Sequence, residues 1–406
     1  MSRRDAVDAI GAGFVLQGTV LVSGVLAARL LGPEQRGELA LLWVVALALA
    51  QLGAMGGPAA MAVFLARGNV DARTLFGACA RTAAWQVLVV LVVQAGVLAV
   101  LMWELAAVIT LAAPAAMIAQ VYGLSVLQGL GRLRVMQGLR LLPTTAYAAA
   151  LVIALVLGAS SLAWVAFAWA GSYALAAAAT CGYAWRVLPA RRGEVVDARE
   201  VRAFGRRTML GSISPLETFR VDQLLVGLVL SPLQLGLYVA ALAFTNLPRF
   251  IAQGIGQVAV ARIAPLGLGE ARAAVVRFTV LSAGLALVVS APLAALAGPL
   301  VALAFGDAFA GAAVLIPVLL ASTVLVCARR VLGDALRGAG HAGAGSVAEL
   351  CSYVAVVPAL AVGVLSGGAL GVAWALVGSS LVSLLVLVGL AYRALFVRGK
   401  VAAALA

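Results

Sequence analysis

Twelve apolar runs follow one another along this chain, at roughly 7–31, 38–66, 76–102, 106–130, 136–158, 161–188, 205–230, 235–262, 274–303, 310–330, 344–365 and 369–394. Each is about 20 residues or longer, enough to cross ~30 Å of hydrocarbon as a helix. Inside a bilayer every backbone N–H and C=O must find a partner within the protein, and an apolar run of this length satisfies that requirement by coiling on itself. The composition agrees, because only 11% of the 406 residues are charged, against about 25% in soluble domains. The expected fold is therefore an all-α integral membrane protein with about twelve transmembrane helices, six in each half. The division of 76–130 into two runs rests on Trp103 and Glu104 alone.

A net charge of +13 would suggest nucleic acid in a soluble protein, but here the arginines sit at the ends of apolar runs. Arg3 and Arg4, Arg67 and Arg73, Arg132 and Arg134, the block from Arg186 to Arg207, Arg262 and Arg272, Arg330 and Arg337, and Arg393 to Lys400 fall on alternate connections. The intervening connections carry Arg36, with Arg29 at a run's end, while 158–162, 231–235 and 366–370 have no charge. By the positive-inside rule both termini are cytoplasmic, in a multi-pass protein of the cell (inner) membrane, and no nucleic-acid partner is expected. Arg3 and Arg4 look like a signal-peptide start, yet the apolar run reaches Leu31 without a processing site, so it is expected to remain as a helix.

Two sets of matches point to a duplicated chain. Leu31 and Leu230, Pro33 and Pro232, Gln35 and Gln234, Gly37 and Gly236, and Gly57 and Gly256 all lie 199 residues apart, and Leu127-to-Arg132 (LQGLGR) matches Leu336-to-His341 (LRGAGH) 209 residues on. An even number of spans per half makes the repeats parallel, related by an axis along the membrane normal. The expected domains are a six-helix bundle at 1–188, a cytoplasmic linker at 189–204 and a second six-helix bundle at 205–406.

Several chemistries are excluded or unsupported. The four cysteines, Cys79, Cys181, Cys327 and Cys351, lie in apolar runs without metal-ligand spacing, and His341 is the single histidine. No metal site, cofactor or catalytic constellation is expected, and no connection is long enough for a soluble catalytic module.

One run is polar where it should be apolar. Glu217, Arg220 and Asp222 fall in the middle of 205–230, and each charge at the bilayer centre costs roughly 2.5–3.5 kcal/mol on insertion scales. They must therefore face one another, a cavity or a ligand. On a continuous helix Glu217 and Arg220 can pair, while Asp222 lies about 200° around from Arg220 and needs a second helix or water. Arg249, about halfway along the next run, is the expected partner of Asp222. Arg81, Arg140 and Glu349 sit about a turn inside their helices, where long side chains can reach the interface, and Arg329 and Arg330 end a run. Pro215, two residues before Glu217, is the expected functional kink.

The stretch Ala28 to Ala40 (ARLLGPEQRGELA), continued by Gln51 to Pro58 (QLGAMGGP), resembles the polysaccharide-repeat flippases of the multidrug and oligosaccharide-lipid exporter superfamily. Asp222 followed by Leu235 to Ala240 (LGLYVA), Leu336 to Gly340 (LRGAG) and Gly371 to Ala375 (GVAWA) continue the resemblance. It implies two six-helix bundles forming a V around a central cavity, and a flippase of undecaprenyl-diphosphate-linked oligosaccharides. The implied partners are the lipid-linked oligosaccharide, membrane lipids and a glycan polymerase or other polysaccharide-assembly protein. Diphosphate recognition would fall to Arg220, Arg249 and Arg140, because a guanidinium keeps its charge and can pair in a bidentate fashion. Ion coupling would fall to Glu217 and Asp222. The alternative within the superfamily is a cation-coupled multidrug antiporter.

The arginine pattern predicts that single cysteines placed in 188–207 are silent to an impermeant thiol reagent in intact cells, while cysteines in 158–162 and 366–370 are labelled. Labelling of the first segment with silence at the other two would reverse the orientation.

Overall fold

The computed structural model describes residues 3–397 apart from 55, 69, 102–103, 190–197 and 211–219; the expectations for Pro215 and Glu217 lie outside the described residues. All of its regular elements are helical. The first unit, Met1–Leu224, contains α1 (Arg3–Ala54), α2 (Gly57–Ala66), α3 (Ala72–Leu101), α4 (Leu105–Thr110), α5 (Ala113–Gly129), α6 (Leu133–Leu157), α7 (Leu162–Val187) and α8 (Ala198–Leu210). The helix α9 (Val221–Val229) runs into the second unit, Leu225–Ala406. There follow α10 (Pro232–Ala243), α11 (Asn246–Ile263), α12 (Leu268–Ala295), α13 (Ala297–Phe305), a 3-10 helix (Asp307–Val314), α14 (Leu315–Gly338), α15 (Ala342–Tyr392) and a π-helical turn (Arg393–Val397).

Among the described residues eight helices are long and apolar enough to cross a membrane, or nine if α10 and α11, bent by 45°, form one span. Two of the longest are each two helices in sequence: α1 breaks at Gly32 (φ 73°) and α15 at Gly368 (φ 57°), backbone conformations that suit glycine and start a new helix axis. Val100, Val156 and Leu365 are 85%, 79% and 83% exposed. In water such a surface would aggregate, whereas in a bilayer acyl chains cover it.

The expected helix at 205–230 is corrected. Arg220 has a φ of 51°, outside the helical region, and α9 begins only at Val221. The Arg220 carbonyl accepts the first helical bond, from the Leu224 N–H at 2.9 Å, so Arg220 stands at a helix start rather than inside a helix. The wheel angle between Arg220 and Asp222 therefore does not apply. At the other end, α8 begins at Ala198, inside the segment expected as linker.

Buried clusters show which ends of the helices meet. In the first unit Leu65, Val70, Leu75, Val126, Leu188 and Val201 join one cluster, gathering the connections that carry Arg67, Arg132 and Arg186. Leu31, Leu39, Leu98, Ala106, Leu151 and Leu162 join another, gathering the breaks near Gly32, 102–104 and 158–161. The second unit repeats the pattern, with Ile263, Ala271, Leu336 and Leu395 packed together beside Arg262, Arg272 and Arg337. Gln234 Oε1 accepts the Ala369 N–H at 3.2 Å, which joins the uncharged connections at 231–235 and 366–370. The arginine-rich connections thus pack with one another, and the intervening connections, which carry Arg29 and Arg36 or no arginine, pack with one another in separate contacts.

The matched glycine turns fold alike. After α5, Gly131 (φ 71°) donates to the Gln128 carbonyl and Arg132 to that of Leu127 at 2.9 Å; after α14, Gly340 (φ 84°) donates to Arg337 and His341 to Leu336 at 2.8 Å. Both are helix C-caps closed by a left-handed glycine. The glycine two residues earlier lets a neighbouring helix come close at both turns, since a Cβ on Gly129 would stand 2.7 Å from the Ala62 oxygen and one on Gly338 3.0 Å from the Val260 oxygen. Gly131→Ala and Gly340→Ala should each cost about 1–2 kcal/mol, because a Cβ in the left-handed region clashes with its own backbone. Gly138→Ala, on a helix with open space around it, should be neutral or stabilising. Thermal unfolding in detergent checks the contrast, and a Gly340→Ala protein as stable as the parent would refute it.

Candidate functional site

The polar residues near the chain's middle sit at helix starts. Arg220 precedes α9, and its guanidinium carbon lies 5.8 Å from the ring centroid of Trp43, half-buried on α1. That distance is within range of a cation–π attraction. Asp222 is buried in the first turn of α9, where the partial positive charge of the helix N-terminus favours a carboxylate. Its neighbour Gln223 is buried as well, with Oε1 lacking a hydrogen-bond partner among the described residues.

Arg249 belongs to the second unit. The span breaks at Phe244 and Thr245, where the Leu242 carbonyl accepts both the Thr245 N–H at 3.0 Å and its hydroxyl at 2.7 Å. A new helix, α11, then starts at Asn246, with Pro248 in its first turn supplying a fixed φ and no N–H. Arg249 follows Pro248 directly, half-buried, and its Nε is buried without a partner among the described residues. A helix N-terminus with a guanidinium in its first turn presents two sources of positive potential on one element.

The other expected residues are placed differently. Arg81 on α3 and Arg140 on α6 are exposed, and Arg329 and Arg330 on α14 are half-buried; the Glu349 side chain lies outside the described residues. Among the described residues no three His, Cys, Asp or Glu come close enough to hold a metal ion.

The first unit also holds a cavity of about 310 Å³, lined by α2, α3, α5, α8 and the end of α1. Its inner wall is built by hydrogen bonds. Where α1 ends at Ala54 its carbonyl has no helical partner, and Gln86 Nε2 donates to it at 3.4 Å while Tyr122 donates its hydroxyl to Gln86 Oε1 at 3.1 Å. The outer rim is α8. Phe204 meets Phe64 edge-on with centroids 5.8 Å apart, Arg67 covers the Phe64 ring at 4.7 Å, and a Cβ on Gly205 would stand 3.1 Å from the Gly56 carbonyl carbon. Glycine at both positions lets α8 lie against the α1–α2 break, so that Arg202 and Arg206 reach the cavity's mouth.

The polysaccharide biosynthesis protein family matches residues 25–314, well over half of the chain. The chain belongs to this family. Its fold is that of the lipid II flippase MurJ in an inward closed conformation, with a TM-score of 0.76 at 11% identity over 95% of this chain and 87% of that one. It is likewise similar to a multidrug resistance MATE family transporter of the MOP superfamily. The inward-facing form gives a TM-score of 0.72 at 15% identity over 94% of this chain and 95% of that one, and the outward-facing form 0.64 at 15% over 98% and 96%. At such identities these likenesses show the fold alone. No curated protein matches in sequence.

In this polysaccharide biosynthesis family protein, sequence reasoning missed Gln223, the Gln86–Tyr122 pair and the arginines of α8. The last had a legible signal, since Val201 and Phe204 alternate with Arg199, Arg202 and Arg206 at helical spacing. Gln86 and Tyr122 carried none, because a lone glutamine or tyrosine in an apolar run does not reveal its partner. Gln86→Leu should destabilise the protein by about 1–3 kcal/mol by leaving the Ala54 carbonyl and the Tyr122 hydroxyl unpaired in the interior. Tyr122→Phe should cost about 1 kcal/mol, and thermal unfolding of the two variants would rank them.

Proposed function

We propose that this protein flips undecaprenyl-diphosphate-linked oligosaccharide repeat units from the cytoplasmic to the outer leaflet by alternating access, for cell-surface polysaccharide biosynthesis. The observation that carries the reading is Arg249. A buried Nε without a hydrogen-bond partner among the described residues, in the first turn of a helix that starts part-way along a broken span, is suited to an anion. Membership of a polysaccharide biosynthesis family and a fold shared with a lipid II flippase support a lipid-linked glycan as the cargo.

In this reading the chain makes twelve passes, counting each side of Gly32 and Gly368 as one, α10 with α11 as one and the run 205–230 as a broken one, in two parallel six-helix repeats at 1–188 and 205–406 that form a V around a central cavity. Both termini are cytoplasmic, and a glycan polymerase or another assembly protein receives the product. Arg220, Arg249 and Arg140 bind the diphosphate. Glu217 and Asp222 formally balance Arg220 and Arg249, so an anion enters when an acid takes up a proton or when Arg140 contributes. That linkage makes the two acids the coupling groups for a proton or Na⁺.

The buried carboxyl of Asp222 favours a second reading, a cation-coupled multidrug antiporter, in which that acid serves an organic cation. Proteoliposome assays separate the two. The flippase reading expects flipping of a fluorescent lipid-diphosphate oligosaccharide to fall roughly tenfold or more in Arg220→Lys and Arg249→Lys, which keep charge and lose bidentate contacts, and nearly to vanish in the alanine variants. Glu217→Gln and Asp222→Asn should blunt the response to collapse of the ion gradient. Unchanged flipping in both lysine variants, with organic-cation efflux lost in Asp222→Asn, would establish the antiporter instead. Full recovery in Glu217→Gln combined with Arg220→Gln would reduce Arg220 to a structural ion pair.

A further inference from the structure

The cavity at α8 differs from the proposed transport site in position and in chemistry. Its lining residues include two arginines, Arg202 and Arg206, and no Asp or Glu. They lie one helical turn apart on α8, both side chains are exposed, and neither has an acidic partner among the described residues. Opposite them stand the polar groups of Thr82, Gln86 and Tyr122.

The apolar part of the lining leads out of the cavity. Trp85 and Val89 belong to it and are also 67% and 46% exposed, and the same face of α3 continues through Val92, Val93 and Val100. These positions recur at helical spacing, so they form one stripe facing the acyl chains. A cationic mouth, a polar pocket and an apolar stripe starting at a tryptophan therefore follow one another along one path. The helix α8 itself packs Val201 and Phe204 inward and turns Arg199, Arg202 and Arg206 outward, the arrangement of an amphipathic helix lying at a membrane surface.

We propose that this cavity binds the headgroup of an anionic glycerophospholipid, with an acyl chain laid along Trp85, Val89 and Val92. Arg202 and Arg206 pair with the phosphate as charge-assisted donors, and Gln86 and Tyr122 meet the polar headgroup beyond it. Charge and the adjoining apolar stripe select this occupant. At about 310 Å³ the cavity is near the lower end of the range for small-molecule sites, room that suits a phosphoglycerol group whose acyl chain lies outside it. The cytoplasmic leaflet, in which the positive-inside pattern places α8, is also the one rich in anionic lipid. The proposal is independent of the transported cargo, since it concerns a lipid held at the flank of the first unit.

The test uses the full chain purified in a neutral detergent and titrated with dioctanoyl phosphatidylglycerol, with binding followed by native mass spectrometry. Saturable binding should weaken at least tenfold in Arg202→Gln combined with Arg206→Gln. It should weaken similarly in Val89→Trp, which fills the cavity without changing charge, and stay unchanged in Arg132→Gln, which removes one positive charge elsewhere. Equal binding of dioctanoyl phosphatidylcholine would overturn the proposal, as would undiminished phosphatidylglycerol binding in the double variant. Competition by inorganic phosphate at the lipid's own concentration would make the site one for free phosphate and remove the lipid from it. Because the probe contains neither isoprenoid nor sugar, failure here leaves the flippase reading untouched, and loss of flipping in the Arg249 variants leaves this site untouched.

Discussion

A backbone amide or carbonyl without a partner in hydrocarbon costs several kcal/mol, and the breaks in these helices are arranged around that cost. Where α1 stops at Ala54, Gln86 reaches over from α3 to take up the carbonyl. Where α15 restarts after Gly368, Gln234 accepts the amide of Ala369. The turns after α5 and α14 close their last carbonyls with left-handed glycines. Each device is small, and each permits a break that a straight helix would not contain. The breaks in turn place the polar residues, since Arg220, Asp222 and Arg249 all stand at helix starts rather than at helix centres.

Much of this was legible in the chain because hydrophobic length and charge placement are local properties. The apolar runs located the helices, the break near Glu104 fell where Leu101 and Leu105 bound it, and the arginines marked connections that pack with one another within each unit. The two matched turns were visible through glycines at left-handed positions that strain other residues, as at Gly131 and Gly340. Other features depended on tertiary context. Nothing in the run 205–230 announces that Arg220 adopts a φ of 51°, because a charged residue in an apolar run reads as a helix interior with a functional side chain.

The misplacement of α8 has a similar cause. Pro189, Gly193 and mixed charge suggest a linker, and the arginines conceal an apolar face only about three or four residues wide. What makes a packed helix of it is the close approach of Gly205 to Gly56, a pairing between distant positions that no local pattern encodes. Periodicity alone shows that Val201 and Phe204 share a side, and the partner surface on α2 gives that side its meaning.

The contact between Gln234 and Ala369 carries a mechanical implication. It fastens the start of α10 to the restart of α15, and just beyond it Gly363 and Gly371 bring the two arms of α15 into backbone contact. Parting α10 from α15 at this corner would strand an amide, at a cost of about 1–3 kcal/mol. The corner is therefore held in place, whereas at the 45° bend between α10 and α11 the chain has already left the straight helical path. A latch at one end and a joint part-way along the same span would let the segment bearing Arg249 swing while its anchor stays fixed.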